Sequence, residues 1–155
     1  MSNPVKCWLP PGMRPLIPQQ RIREYLYVYT AVCPDDGENF SLILPRSNTE
    51  MMNMFLDEFS KQYQGYRIIM VMDRAPWHPS ENSNKFDNIR VIRQPQYSPE
   101  LNPAEHMWEH IRENYFHNRQ FKTLDILEEE LVNALYELGQ NKNTIKSLTA
   151  FHWIN

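Results

Sequence analysis

Two acidic residues carry the chemistry that this sequence suggests. Asp73 directly follows Arg67-Ile68-Ile69-Met70-Val71-Met72, a nearly continuous apolar run of strand length. Such a run suits a strand covered on both faces. Its last residue then stands at the carboxyl edge of a sheet, where open α/β folds put their ligand sites. By position alone Asp73 serves equally well as the start of a turn. Glu105 comes 32 positions later, in Asn102-Pro103-Ala104-Glu105. That stretch reads as an N-cap, a proline at the first helical position and a glutamate at the third, close to a capping box. Taken singly, Glu105 is explained by capping and by the helix dipole. Its helix would bury Ala104, Met107, Trp108, Ile111 and Tyr115, with Glu105 on the border of that face. If both carboxylates project from one sheet edge, they offer oxygen to a hard divalent cation, Mg²⁺ or Mn²⁺. Two such ions would clamp the attacking and leaving oxygens of an in-line phosphoryl transfer, a task for which a third acid is expected.

The elements that must position these residues follow from the hydrophobic pattern. Aromatic and β-branched residues over 24–33 predict a strand, and Pro34-Asp35-Asp36-Gly37-Glu38 a turn, before a second strand at 39–44. A helix should start at Asn48 or Thr49 and bury Met51, Met52, Met54, Phe55, Phe59 and Tyr63, with Gly65 as its stop. Strands at 67–72 and 88–93 flank a loop, and helices are expected over 102–118 and 123–138. The order β-β-α-β-β-α-α implies one α/β domain with a mixed sheet. The first 23 residues are rich in proline and lack an apolar period; they hold Lys6, Arg14, Arg21 and Arg23 and no acid. They read as an extended basic arm, leaving 24–155 for the sheet and helices.

Length and composition bound the rest. The chain has 155 residues, room for one ordinary domain. Hydrophobic residues at 41% and charged residues at 23% allow a packed core. No apolar run is long enough to span a membrane, and the N-terminus lacks the apolar stretch of a secretory signal. Cys7 and Cys33 match no metal spacing, which fits reduced thiols in a cytoplasmic protein. A net charge of −3 excludes a simple basic nucleic-acid coat, but leaves room for an enzyme with local basic patches. Residues 67–93 carry Arg67, Arg74, Lys85, Arg90 and Arg93 against three acids, and together with the arm form the expected phosphate track. The acidic stretch around Glu128-Glu129-Glu130 should face away from DNA. His106 and His110 have the i, i+4 spacing of a zinc pair but no companion ligand, so an exposed helix face explains them better. Tyr25, Tyr27 and Tyr29 alternate along one strand and are accounted for by packing rather than by stacking on bases.

The two acids also lie in recognisable blocks. Met72-Asp73-Arg74-Ala75-Pro76-Trp77-His78 resembles the strand-end "DNAxxH" block of DDE transposases. The segment from Gln94-Pro95-Gln96-Tyr97-Ser98-Pro99-Glu100-Leu101 through Asn102-Pro103-Ala104-Glu105-His106-Met107-Trp108 is similar to their "PxYSPxLNPxExxW" block. Trp8-Leu9-Pro10-Pro11-Gly12-Met13-Arg14-Pro15 resembles the "WxPxGxxP" stretch of mariner-like transposases of bacterial insertion sequences, within the DDE superfamily endonucleases. The resemblance implies a ribonuclease-H-like fold, an acidic triad holding two divalent metals, and DNA strand cleavage and joining in transposition. By motif, Asp73 is the second acid and Glu105 the third, while His78 and Asn102 are supporting or DNA-contacting residues. DNA contacts are expected from Arg14, Arg21, Arg23, Arg74, Arg90 and Arg93.

Two departures stand out. The family's first aspartate lies upstream of the "WxPxGxxP" stretch, and no acid precedes Glu24 here. Arg74 also replaces the asparagine common after the second acid. The expectation is therefore the C-terminal part of a catalytic domain, truncated at its first strand and inactive alone. The alternative is a non-enzymatic remnant that binds DNA or associates with a full-length transposase or with copies of itself.

Overall fold

The computed structural model describes residues 10, 12, 25–76, 85–96, 98, 101–117 and 119–151. Strands β1 (Tyr27–Val32) and β2 (Asn39–Leu44) form an antiparallel hairpin, with Tyr27 opposite Leu44 and Val32 opposite Asn39. The turn closes because Gly37 takes φ 75°, a conformation that side chains resist. Asp36 Oδ1 accepts the Glu38 N–H at 2.9 Å, and the Cys33 N–H donates to the Glu38 carbonyl at 2.8 Å. Helix α1 (Thr49–Gln62) follows, started by Asn48, whose Oδ1 accepts the Met51 N–H at 2.9 Å. Strands β3 (Ile68–Met72) and β4 (Ile89–Arg93) then pair in parallel, with Ile68 opposite Ile89 and Met72 opposite Arg93. Helices α2 (Pro103–Tyr115), α3 (Leu124–Gln140) and α4 (Lys142–Thr149) complete the domain.

The fold is mixed α/β, with antiparallel and parallel pairing both present. Among the described residues, however, the two pairs form separate two-stranded ladders rather than one continuous sheet. They are joined through α1. Met52, Phe55, Leu56 and Phe59 of that helix share one core with Tyr29 and Leu44 of the hairpin and with Met70, Met72 and Ile89 of the parallel pair. A second core lies on the other face of the hairpin. There Val28, Val32 and Ile43 pack against Met107 and Ile111 of α2, Leu131, Ala134 and Leu138 of α3, and Ile145 of α4.

Asn88 locks the parallel pair to α1. Its side-chain amide donates to the Ser60 and Tyr63 carbonyls, both at 3.1 Å, and its Oδ1 accepts the Ser60 hydroxyl at 2.6 Å. Its own carbonyl accepts the Ile68 N–H at 2.8 Å, where β3 begins. One residue thus satisfies carbonyls at the end of the helix that would otherwise lack partners and sets the start of the next strand.

Several sequence expectations change. β3 is not covered on both faces: Met70 and Met72 are buried, but Ile69 is 67% and Val71 56% exposed. The apolar run is continuous because neither face is charged, not because both are packed. Met54 is exposed and Leu56 buried, so the α1 stripe is rotated from the expected one. Trp108 and Tyr115 are half-buried rather than core. Tyr29 is buried against Phe55, with ring centroids 5.8 Å apart, while Tyr25 and Tyr27 are exposed. β1, β3 and β4 begin later than expected, α2 stops at Tyr115, and α3 runs on through Gly139. Helix α4 is an addition. Asn141 ends α3 by donating its N–H to the Leu138 carbonyl and starts α4 by accepting the Thr144 N–H at 3.1 Å on Oδ1. Among the described residues no helix is long and apolar enough to cross a membrane.

Candidate active site

The carboxyl end of the parallel pair opens into a hollow of about 350 Å³, whose lining includes Asp73, Arg74, Gln94, Asn102 and Glu105. Each arrives there by a local rule. Asp73 is the first residue past β3, exposed, and its Oδ1 accepts the Ala75 N–H at 3.0 Å. That is the aspartate turn which is the ordinary role of such a residue; it occupies one of the two carboxylate oxygens.

Gln94 prolongs the ladder one residue beyond β4 by donating its N–H to the Met72 carbonyl at 2.7 Å. Arg74 folds back from the strand end and gives its Nε to the Gln94 carbonyl at 3.0 Å. On the helix side, Asn102 is the N-cap of α2, its Oδ1 accepting the Ala104 N–H at 3.1 Å. Pro103 takes the first helical position, where its missing N–H costs nothing, and the Glu105 N–H reaches the Asn102 carbonyl at 3.0 Å. The reciprocal half of a capping box, from the Glu105 carboxylate back to the Asn102 N–H, is not formed among the described residues. Glu105 is exposed and faces the hollow instead.

The structure therefore brings Asp73, Arg74, Asn102 and Glu105 together. Arg90 and Arg93 lie on β4, Arg90 exposed and Arg93 half-buried. His78, Arg14, Arg21 and Arg23 lie outside the described residues, as does most of the basic arm. Of the two helical histidines, His106 packs edge-on against Phe151 at 4.9 Å, and His110 sits 3.2 Å from the Asn114 amide. Sequence reasoning missed Gln94, the buried amide of the hollow. It falls inside the longer motif block, but glutamine after a strand carries no pattern of its own.

The donor set is chemically hard: two carboxylates and amide oxygens, with no thiolate or imidazole among the named lining residues. That suits a hard divalent cation that keeps water as further ligands. Among the described residues no group of three or more acids, histidines or cysteines converges. The titratable groups with shifted values lie outside the hollow. Burial pushes the Cys33 thiol up, and the hydrogen-bonded Glu38 carboxylate holds Lys142 above the usual lysine value.

Comparison with known proteins gives this geometry its context. A 33% identical relative, described as uncharacterized protein y4pE/y4sA of Sinorhizobium fredii (strain NBRC 101917 / NGR234), aligns over 130 residues, 83% of this chain and 96% of that one. Two solved structures are similar in fold, each with a TM-score of 0.60 over 94% of this chain. One is the Mos1 transposase paired-end complex with left transposon end, at 15% identity. The other is the Mos1 strand transfer complex, at 17%. The chain spans about half the length of these Mos1 chains, 51% and 50%. The family model described as DDE superfamily endonuclease matches residues 2–128, a span that holds both acids and every element from β1 into α3. On that match the chain belongs to the DDE superfamily endonucleases.

Proposed function

We propose that this chain is the C-terminal part of a DDE transposase catalytic domain, acting in DNA strand cleavage and joining. The observation that carries the proposal is that Asp73 and Glu105, from separate motif blocks, line one hollow at the carboxyl edge of β3 and β4. Membership of the endonuclease family supports the same reading, as do the transposon-end DNA and the strand transfer named for the two Mos1 complexes. Asp73 and Glu105 would hold Mg²⁺ or Mn²⁺, which supplies charge stabilisation at a phosphoryl oxygen when bound. Asp73 offers its carboxylate from the end of β3. Glu105 is presented by the capped first turn of α2. Arg74, anchored by its Nε, keeps its remaining N–H groups for a phosphate. Asn102 acts through the cap, fixing where Glu105 emerges.

In the wider reading, the basic side chains Arg14, Arg21 and Arg23 join Arg90 and Arg93 in contacting the DNA backbone, and His78 has a supporting or DNA-contacting role. DNA as substrate goes with a cytoplasmic setting. Two carboxylates are one short of the acidic triad, so the 155-residue polypeptide alone should not cleave DNA. The absence of a third converging acid among the described residues favours, as second reading, a role in binding DNA or a full-length transposase.

Calorimetric titration of Mn²⁺ into the 155-residue protein tests the site. Binding is expected, with Asp73→Asn and Glu105→Gln each weakening it. Unchanged affinity in both variants would sink the metal reading. Metal-dependent nicking of DNA by the wild-type polypeptide, lost in both variants, would refute the claim of inactivity.

A further inference from the structure

Only two polar side chains among the described residues are buried, and they do different work. Thr149 returns its hydroxyl to the Ile145 carbonyl of its own helix, an internal bond. Gln94, 7% exposed, opens the longer motif block and lines the hollow. Its N–H donates to the Met72 carbonyl, on the residue directly before Asp73. Its Nε2 donates to the Leu101 carbonyl at 2.9 Å, on the residue directly before Asn102, the cap of the helix that carries Glu105. Its carbonyl accepts Arg74 Nε. A single residue thus bonds to the residue before Asp73, to the residue before the cap of the helix that carries Glu105, and to the Arg74 guanidinium. A buried amide donor left unpaired is costly, so the Leu101 carbonyl is held in place, and with it the peptide that leads into the cap.

We infer that Gln94 is a positioning residue that sets the separation of the Asp73 and Glu105 carboxylates and so tunes their affinity for a divalent cation. The inference rests on the proposed reading of those two acids as cation ligands. Gln94 acts through the Leu101 carbonyl, as outer-sphere groups do when they orient metal ligands.

The variant Gln94→Met keeps the length and most of the volume while removing the donor; Gln94→Leu, likewise uncharged and without a donor, serves if the methionine protein does not fold. Leu44→Ala, a core change on the hairpin, is the control for loss of stability alone. Two measurements are made on the 155-residue protein: Mn²⁺ affinity by calorimetry, and hydrogen exchange at the Ala104 amide, which Asn102 caps. Gln94→Met should weaken Mn²⁺ binding about 10-fold or more and speed exchange at Ala104, while Leu44→Ala does neither beyond its global destabilisation. Wild-type Mn²⁺ affinity in Gln94→Met overturns the proposal, as does an affinity loss that merely tracks stability in both variants. If the wild-type protein binds no Mn²⁺, the reading of the acids has failed, and exchange decides on Gln94 separately. Faster exchange at Ala104 in the methionine variant than in the control upholds its hold on the α2 cap, and equal exchange refutes it.

Discussion

The hairpin and the parallel pair are built from similarly apolar strands, yet they are treated oppositely by the rest of the chain. β1 and β2 are enclosed: Tyr29 and Leu44 face the α1 core, while Val28, Val32 and Ile43 face the α2–α4 core. β3 and β4 are covered by α1 on one face only, leaving Ile69, Val71 and Ile92 exposed at 67%, 56% and 48%. The enclosed pair contributes stability and lies apart from the hollow. The half-covered pair delivers Asp73 and Gln94 to it. The proposed site sits at the less buried of the two strand pairs, because a site needs access and a core excludes it.

The contrast breaks most sharply by comparing neighbours within a strand. In β3, Met70→Ala should cost about 2–5 kcal/mol, whereas Ile69→Ala should stay within about 0.5 kcal/mol. In β1 both neighbours should matter, with Val28→Ala costing about 1 kcal/mol from lost methyl burial and Tyr29→Ala more. Urea unfolding monitored by circular dichroism measures all four. A large loss at Ile69 would mean that the outer face of β3 is covered in the folded protein.

A second test concerns how the enclosed hairpin is held. Gly37 sits at positive φ, and a Cβ there would run into the Lys142 backbone at the start of α4. Gly37→Ala should therefore cost about 1–2 kcal/mol from backbone conformation alone, plus the displacement of α4. Asp73 and Glu105 lie elsewhere, so Mn²⁺ affinity in this variant should not change once stability is allowed for.

The smallest effect belongs to the salt bridge between Glu38 and Lys142, both exposed. Lys142 has a raised value in the folded protein, so the pairing stabilises fully below the ordinary lysine range and fades as pH rises through the raised value. Lys142→Met should lower the melting temperature slightly at neutral pH. On the alkaline side, that difference should disappear once the buffer is strongly basic.

Much of this architecture was legible in the residues. The second strand matches its expected bounds residue for residue, and the cap of α1, expected at Asn48 or Thr49, is Asn48. The turn glycine and the Asn102-Pro103 helix start were equally plain, because capping and positive φ are decided by one or two local residues. Covering of strands was not legible. The run Ile68-Ile69-Met70-Val71-Met72 has the composition of a doubly buried strand, and only packing reveals its open face. Helix α4 escaped notice because Lys142-Asn143-Thr144-Ile145 offers one apolar side chain in four; Ile145 and Thr149, both fully buried, hold it through tertiary contact. In the site, the two carboxylates were found from strand end and helix start. Gln94 was not, since its importance comes from three partners at different distances along the chain.

Asn88 bears on how local stability is shared. The end of α1 is fastened by the side chain, and the beginning of β3 by the backbone carbonyl, of a residue 28 positions after Ser60. The last turn of α1 therefore has these partners only while the residue that leads into β4 is in place, so loosening the parallel pair should also loosen that turn, as faster hydrogen exchange there would show.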